Sequence, residues 1–313
     1  RARLCVVPGT DDEWHGPVCG QRGRAVSGLV DSVHVGRLCG VRDPDLPRAV
    51  HWSALCARPR WCSCRLHHGG ADARCVWGTD DYAGWNSHSR IVVTTTSDWA
   101  KLINIDGHAT TGIYRFDHQV AKNTVRTQLN WLPIRGASIP YVALDADNDA
   151  VPTPSVLLIG PGGGLDLLNG IFYGAKITGV ELNSLIHSLM SDGPIAKWAG
   201  NVYKAPGVHV VHDEARSYVR RSSEQYDLIQ ASMIDTWAAT ASGAFALAEN
   251  ALYTVEAFAD YREHLSPRGV VHFARWNEDP PRQSLRVLAL IEAVMRADGD
   301  DQEMNRHVIV LEE

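Results

Sequence analysis

Four carboxylates and a run of glycines carry most of the chemistry this sequence offers. Gly160, Gly162, Gly163 and Gly164 follow the apolar run Val156, Leu157, Leu158, Ile159 and precede residues able to start a helix. Glycines lack a Cβ, so a ligand can lie against the backbone there, with the amides of the helix start turned toward it. Glu181 closes the next apolar run, about twenty residues downstream, where a carboxylate accepts both hydroxyl protons of a ribose. The order strand, glycine turn, helix, strand, acid is that of a nucleotide site in a parallel sheet. In the pattern GxGxxG the third glycine would fall on Leu165, so the reading is an adenosine-type ligand without a pyrophosphate, such as S-adenosylmethionine or a relative. A tight turn with no ligand is the alternative.

The elements that position these groups alternate. After the strand at Ser155 to Ile159 and the strand ending at Glu181, the pattern predicts a helix over 183–190, a strand over 207–211 running out into His212, Asp213 and Glu214, and a helix over 215–221. A strand over 226–230, a polar loop over 231–243, a helix over about 249–265, a strand over 269–276, a helix over 283–296 and a strand over 307–311 complete the series. Such alternation implies a parallel sheet whose ligands bind at the carboxyl ends of its strands. The candidates are therefore Gly160 to Asp166, Glu181, Asp213, and Ser232 to Asp235.

Upstream the composition changes twice. All seven cysteines lie before Trp77, in a lysine-free stretch rich in Arg, Gly, His and Trp. Residues 1–80 show no useful periodicity and read as a poorly ordered or non-native-like extension with no defensible element. Cys62 and Cys64 are one residue apart, and no second pair follows at zinc-ligand spacing. Residues 81–149 hold β-branched runs at Ile91 to Thr96, Trp99 to Ile105 and Thr110 to Phe116, which predict a small antiparallel sheet. The turn formers and prolines from Asp145 to Pro154 read as a linker. Residues 150–313 form the Rossmann-like domain. The chain has 313 residues, 45% hydrophobic and 21% charged, with a formal net charge of −6. That charge gives no support to a nucleic-acid surface, and no apolar window is long enough to span a bilayer.

From Tyr82 onward the chain resembles the spermidine/spermine synthase family. The resemblance rests on WNSHSRIVV, INIDG, VLLIGPGGG, TGVEL, VHVVHDEARSYV, YDLIQASMID and LYTVEAFADYREHLSPRGVV, in the family's order. It implies an α/β fold: a Rossmann-like, class I methyltransferase parallel sheet preceded by a small antiparallel β domain. Gly160, Gly162 and Gly164, with Asp166 nearby, would line the methionine or aminopropyl end of the cofactor. Glu181 would hold the ribose and Asp213 the adenine amino group, a helix N-cap being the alternative role for Asp213. The family's DxxD loop falls on Ser232 and Asp235, so its first acid is replaced. Gly163 stands where the family's glycine loop has an acid, and Ser89 where it has a glutamine.

On this resemblance, Asp235 holds and deprotonates an amine beside Ser232, and Trp237 and Tyr253 supply an aromatic wall. The cofactor implied is S-adenosylmethionine or its decarboxylated form, without a metal, and the partner is a small-molecule amine. A homodimer is left open. Related proteins often carry membrane helices; none is read here, which gives a cytoplasmic expectation. The activity implied is aminopropyl transfer in polyamine biosynthesis. The alternatives are an S-adenosylmethionine-dependent methyltransferase and a catalytically degenerate nucleoside-binding domain. The sheet of such proteins ends in an antiparallel hairpin, yet this sequence stops after its sixth strand, so a gap or an undocked 307–311 segment is expected.

Overall fold

The computed structural model describes residues 3–9, 80–107, 109–118, 122–145, 153–234, 251–276, 281–299 and 307–311. Asp235, Trp237 and every cysteine except Cys5 lie outside them, as does the zinc question posed by Cys62 and Cys64.

The run Ser155–Ile159 (β6) is apolar on both faces because it sits in the middle of a parallel sheet. Beside it lie Lys176–Glu181 (β7) and then Val208–His212 (β8); on its other flank lie Tyr226–Ser232 (β9) and Leu265–Trp276 (β10). The order β8-β7-β6-β9-β10 is the doubly wound 3-2-1-4-5 arrangement, and every pairing in it is parallel. One face of the sheet packs Val156, Leu158, Leu228 and Val270 with Leu167, Leu168 and Ile186. The other packs Leu157, Ile159, Ile229 and Phe273 with Ala257, Phe258, Tyr261 and Ile291. The helices covering these faces include Leu165–Phe172 (α3), Ser184–Ser191 (α4), Ala215–Arg221 (α6), Val255–Glu263 (α7) and Arg282–Ala297 (α8).

The far edge departs from the sequence reading. Instead of a gap, Arg3–Gly9 (β1) pairs in parallel with β10, from Arg3 opposite Val270 to Gly9 opposite Trp276. Val308–Val310 (β11) docks in parallel on β1 rather than remaining undocked. A strand with unpaired backbone groups on one side accepts any extended segment that supplies them, and the opening segment, in which the sequence reading defended no element, does so here.

The small antiparallel sheet is also larger than expected, with four strands in the order Asp80–Trp85 (β2), Arg90–Thr95 (β3), Ala100–Ile105 (β4) and Ala109–Tyr114 (β5). Short helices at Lys122–Gln128 (α1), Ile139–Asp145 (α2) and Gly193–Trp198 (α5) were not anticipated. Helix α2 ends where the linker was expected to begin. Among the described residues no helix is long and apolar enough to cross a membrane.

One core residue gives the fold a pH dependence. His272 is fully buried in β10, neither ring nitrogen has a hydrogen-bond partner, and burial pushes its imidazole down to about 3. The unfolded chain protonates this ring near pH 6.5 while the folded one stays neutral, so stability is intact above about pH 6.5 and is lost as pH falls toward 3. Urea denaturation of wild type and His272→Met at pH 7 and pH 5 is expected to show a wild-type loss larger by about 2 kcal/mol. Equal losses would contradict the neutral, unpartnered histidine.

Candidate functional site

The sheet changes direction between β6 and β9, which are neighbours although β7 and β8 intervene in sequence. Ligands of open α/β sheets bind outside the carboxyl ends at such a switch point. The glycine bend leaves β6 here, and Ser232 ends β9 beside it, with Leu158 opposite Gln230 in the register.

Three glycines of the bend have left-handed backbone, with φ +67° at Gly160, +51° at Gly162 and +95° at Gly164. L side chains seldom adopt that conformation, so the turn needs glycine. Gly163 is required for another reason: a Cβ there would lie 2.1 Å from the carbonyl oxygen of Gly112 in β5. An acidic side chain at this place has no room.

The donors of the bend are engaged within the chain. Gly160 N donates to Val180 O at 2.9 Å and Gly164 N to Pro161 O at 2.8 Å. Gly162 N donates to Glu181 Oε2 at 3.0 Å, and Gly163 N to Thr111 Oγ1 at 3.0 Å. Pro161 has no N–H. The four N–H groups of the bend thus point at protein acceptors. A phosphate would find no donor among these four. The hydroxyl of Tyr203 pins the bend from the other side, donating to Gly162 O at 2.7 Å.

Glu181 ends β7 directly beneath this turn and is buried. Burial raises its carboxyl above the usual range, opposed by the N–H groups of Asn183 and Gly162 and by nearby His212. Oε1 accepts from Asn183 N at 2.8 Å and Oε2 from Gly162 N. The Leu182 N–H also faces this carboxyl, and of its roughly four acceptor positions those not taken by backbone stay open to a donor such as a ribose hydroxyl.

Asp213 follows β8 and is not the cap of α6. Glu214 takes that role, accepting from Arg216 N at 2.8 Å and Ser217 N at 2.7 Å. Asp213 accepts from Glu214 N at 2.8 Å and pairs with Arg221, which leaves it half-buried at the sheet's carboxyl edge. Asp166 is buried in the first turn of α3. There its charge adds to burial in pushing the phenol of Tyr141 well above its ordinary value.

On the β9 side, Ser232 Oγ accepts from Gln230 Nε2 at 3.2 Å. Met233 has left-handed backbone, φ +52°, and the side chain of Ile234 packs over Gly160. Ile234 O accepts from the hydroxyl of Tyr253 at 3.2 Å and from Arg275 Nη1 at 2.9 Å. Tyr253 is buried, packed against Phe273 with the Arg275 guanidinium 4.6 Å from its ring centroid. It therefore fixes the exit of β9 from within the core rather than forming an open aromatic wall.

Sequence reasoning missed Asn86, Thr111, Asn183, Tyr203 and Arg275. The signal available for Asn183 was its place just ahead of the predicted helix, where asparagine caps: its side chain accepts from Leu185 N and Ile186 N. Among the described residues no cluster of three or more His, Cys, Asp or Glu could hold a metal ion.

No protein-family model matches the chain, and no curated protein sequence matches it. Solved structures do. A spermidine synthase in complex with the transition-state analogue AdoDATO is 18% identical over 69% of this chain and 63% of that one, with a TM-score of 0.44. The spermidine synthase from Thermotoga maritima is 18% identical over 72% of this chain and 64% of that one, with a TM-score of 0.43. The chain is thus similar to spermidine synthases in structure and spans a little under two thirds of the length of each.

Proposed function

We propose that the chain binds an adenosyl sulfonium compound at the glycine bend and transfers an alkyl group from it to a nucleophilic acceptor. The observation that carries this reading is Glu181, a buried carboxylate held by backbone N–H groups under a bend of three left-handed glycines. Asp213 would receive the adenine amino group, exchanging its contact with Arg221 for it. Gly160, Gly162 and Gly164 would lie along the sulfonium end, Asp166 behind them. S-adenosylmethionine, or its decarboxylated form, supplies an electrophilic carbon whose bond to sulfur breaks, sulfur keeping the electron pair.

The acceptor in the first reading is a small-molecule amine, giving aminopropyl transfer as in polyamine biosynthesis. Asp235 would hold that amine and take its proton, and Ser232 and Trp237 would complete its surroundings. Tyr253 serves by anchoring Ile234, one residue before Asp235. The motifs shared with the spermidine/spermine synthase family support this reading; a cytoplasmic homodimer belongs to the same proposal. Methylation is the second reading, favoured by two positions where aminopropyl transfer would use a carboxylate. Gly163 has no room for one, and Ser232 replaces the other.

Cofactor preference separates the two. Calorimetric titration with both cofactors, followed by incubation with putrescine or spermidine and product analysis, is expected to show binding and an aminopropylated amine. Binding of S-adenosylmethionine alone, with methylated product, would move the chain to the second reading. Failure of both to bind would end the transferase proposal.

A further inference from the structure

The small antiparallel sheet reaches the nucleoside site through a chain of side chains that a packing platform would not need. The hairpin between β2 and β3 is shaped by Asn86, whose Oδ1 accepts from His88 N at 2.9 Å and Ser89 N at 2.8 Å. The Nδ2 of the same residue points away from the hairpin and donates to Asn183 Oδ1 at 2.8 Å and Ser184 Oγ at 3.2 Å. Asn183 Nδ2 donates back to Ser89 Oγ at 2.8 Å. Both Ser89 and Asn183 are buried. The asparagine is thereby held from both ends of its amide, and its backbone N–H fixes Glu181 Oε1. At the far side of the same sheet Thr111 of β5 holds Gly163 N, next to the amide that fixes Glu181 Oε2.

We infer that Asn86, Ser89 and Asn183 are positioning residues for the ribose-binding carboxylate, so that the small sheet sets nucleoside affinity without touching the nucleoside. This rests on the reading that Glu181 binds the ribose. The reason is geometric. A carboxylate serving two adjacent hydroxyls has to keep its plane aligned with them, and a rotation of the group exchanges a good contact for a poor one. The N–H groups of Asn183 and Gly162, one on each oxygen, hold that plane. One of them, Asn183 N, lies at the mouth of α4, where it would move with the cap if the hairpin did not hold the side chain. Ser89 and Asn183 are buried, Asn86 is half-buried, and their polar groups satisfy one another, the condition under which a network specifies one arrangement.

The test separates positioning from general loosening by comparing two ligands. 5′-Methylthioadenosine carries the ribose hydroxyls; its 2′,3′-dideoxy analogue does not. The wild type is expected to bind the first about 10- to 100-fold more tightly, the range that loss of hydrogen bonds to a charged group gives. Glu181→Gln should shrink the ratio. Asn86→Asp keeps the acceptor that shapes the hairpin but loses the Nδ2 donor, and Ser89→Ala removes the acceptor for Asn183. Each is expected to reduce the ratio at least about 5-fold while leaving affinity for the dideoxy analogue nearly unchanged, and Ser89→Thr should restore it.

Equal reductions for both ligands would mean a structural role only and would overturn the inference. So would an unaltered ratio in Asn86→Asp and Ser89→Ala when Glu181→Gln collapses it. A wild-type ratio near one, or no binding of 5′-methylthioadenosine, would instead remove the ribose assignment of Glu181 and the inference with it.

Discussion

Replacing Glu181 with alanine is expected to weaken binding of S-adenosylmethionine, its decarboxylated form and 5′-methylthioadenosine alike, by about 5- to 150-fold. That range corresponds to about 1 to 3 kcal/mol for buried donors left without an acceptor. The effect is common to the three ligands because they share the ribose, and Glu181 sits below the bend rather than at the sulfonium end. The substitution also strips Gly162 N and Asn183 N of their partner, so a loss of stability should accompany the loss of affinity. Glu181→Gln keeps one acceptor oxygen and is expected to fall between the two on both counts. Calorimetric titration with 5′-methylthioadenosine, beside urea denaturation of the unliganded protein, reads the two effects separately. Unchanged affinity in Glu181→Ala would remove the site assignment.

The second large effect lies at Gly163. An alanine there puts a Cβ 2.1 Å from Gly112 O and 2.6 Å from Gly112 C, both backbone atoms of β5. Neither can swing aside as a side-chain terminus would, so the bend and β5 must separate. Overpacking of this kind typically costs about 1 to 3 kcal/mol and occasionally more, and the Gly163 N to Thr111 bond stretches with it. Gly163→Ala should lower the urea midpoint and weaken nucleoside binding together. Gly163→Asp, which would introduce an acid at this place, should do the same without raising affinity for a decarboxylated cofactor. A Gly163→Asp protein of wild-type stability would show that the approach of β5 to the bend is looser than 2.1 Å implies.

The parallel sheet was legible because its strands are short apolar runs separated by helical periodicity, and Ser155–Ile159 with its glycines marks the centre of the doubly wound order. Glu181 was legible for the same reason, as the acid closing the next run. Helix α2 was not, because IPYVALD is a single short stretch whose residues make a helix only when packed, with Tyr141 and Leu144 buried. Strand β1 was not, because a seven-residue run reads as a strand only once β10 offers it an edge. The contacts that shape the site were hidden by distance along the chain. Ser89 and Asn183 meet across 94 positions, and Thr111 and Gly163 across 52. No local spacing announces such a pair.

The most direct test of the central claim is a crystal structure of the protein with 5′-methylthioadenosine bound. The account expects both ribose hydroxyls within hydrogen-bond distance of the Glu181 carboxylate and the thioether lying along Gly160 to Gly164. A sugar bound elsewhere, with Glu181 still facing only Gly162 and Asn183, would contradict it.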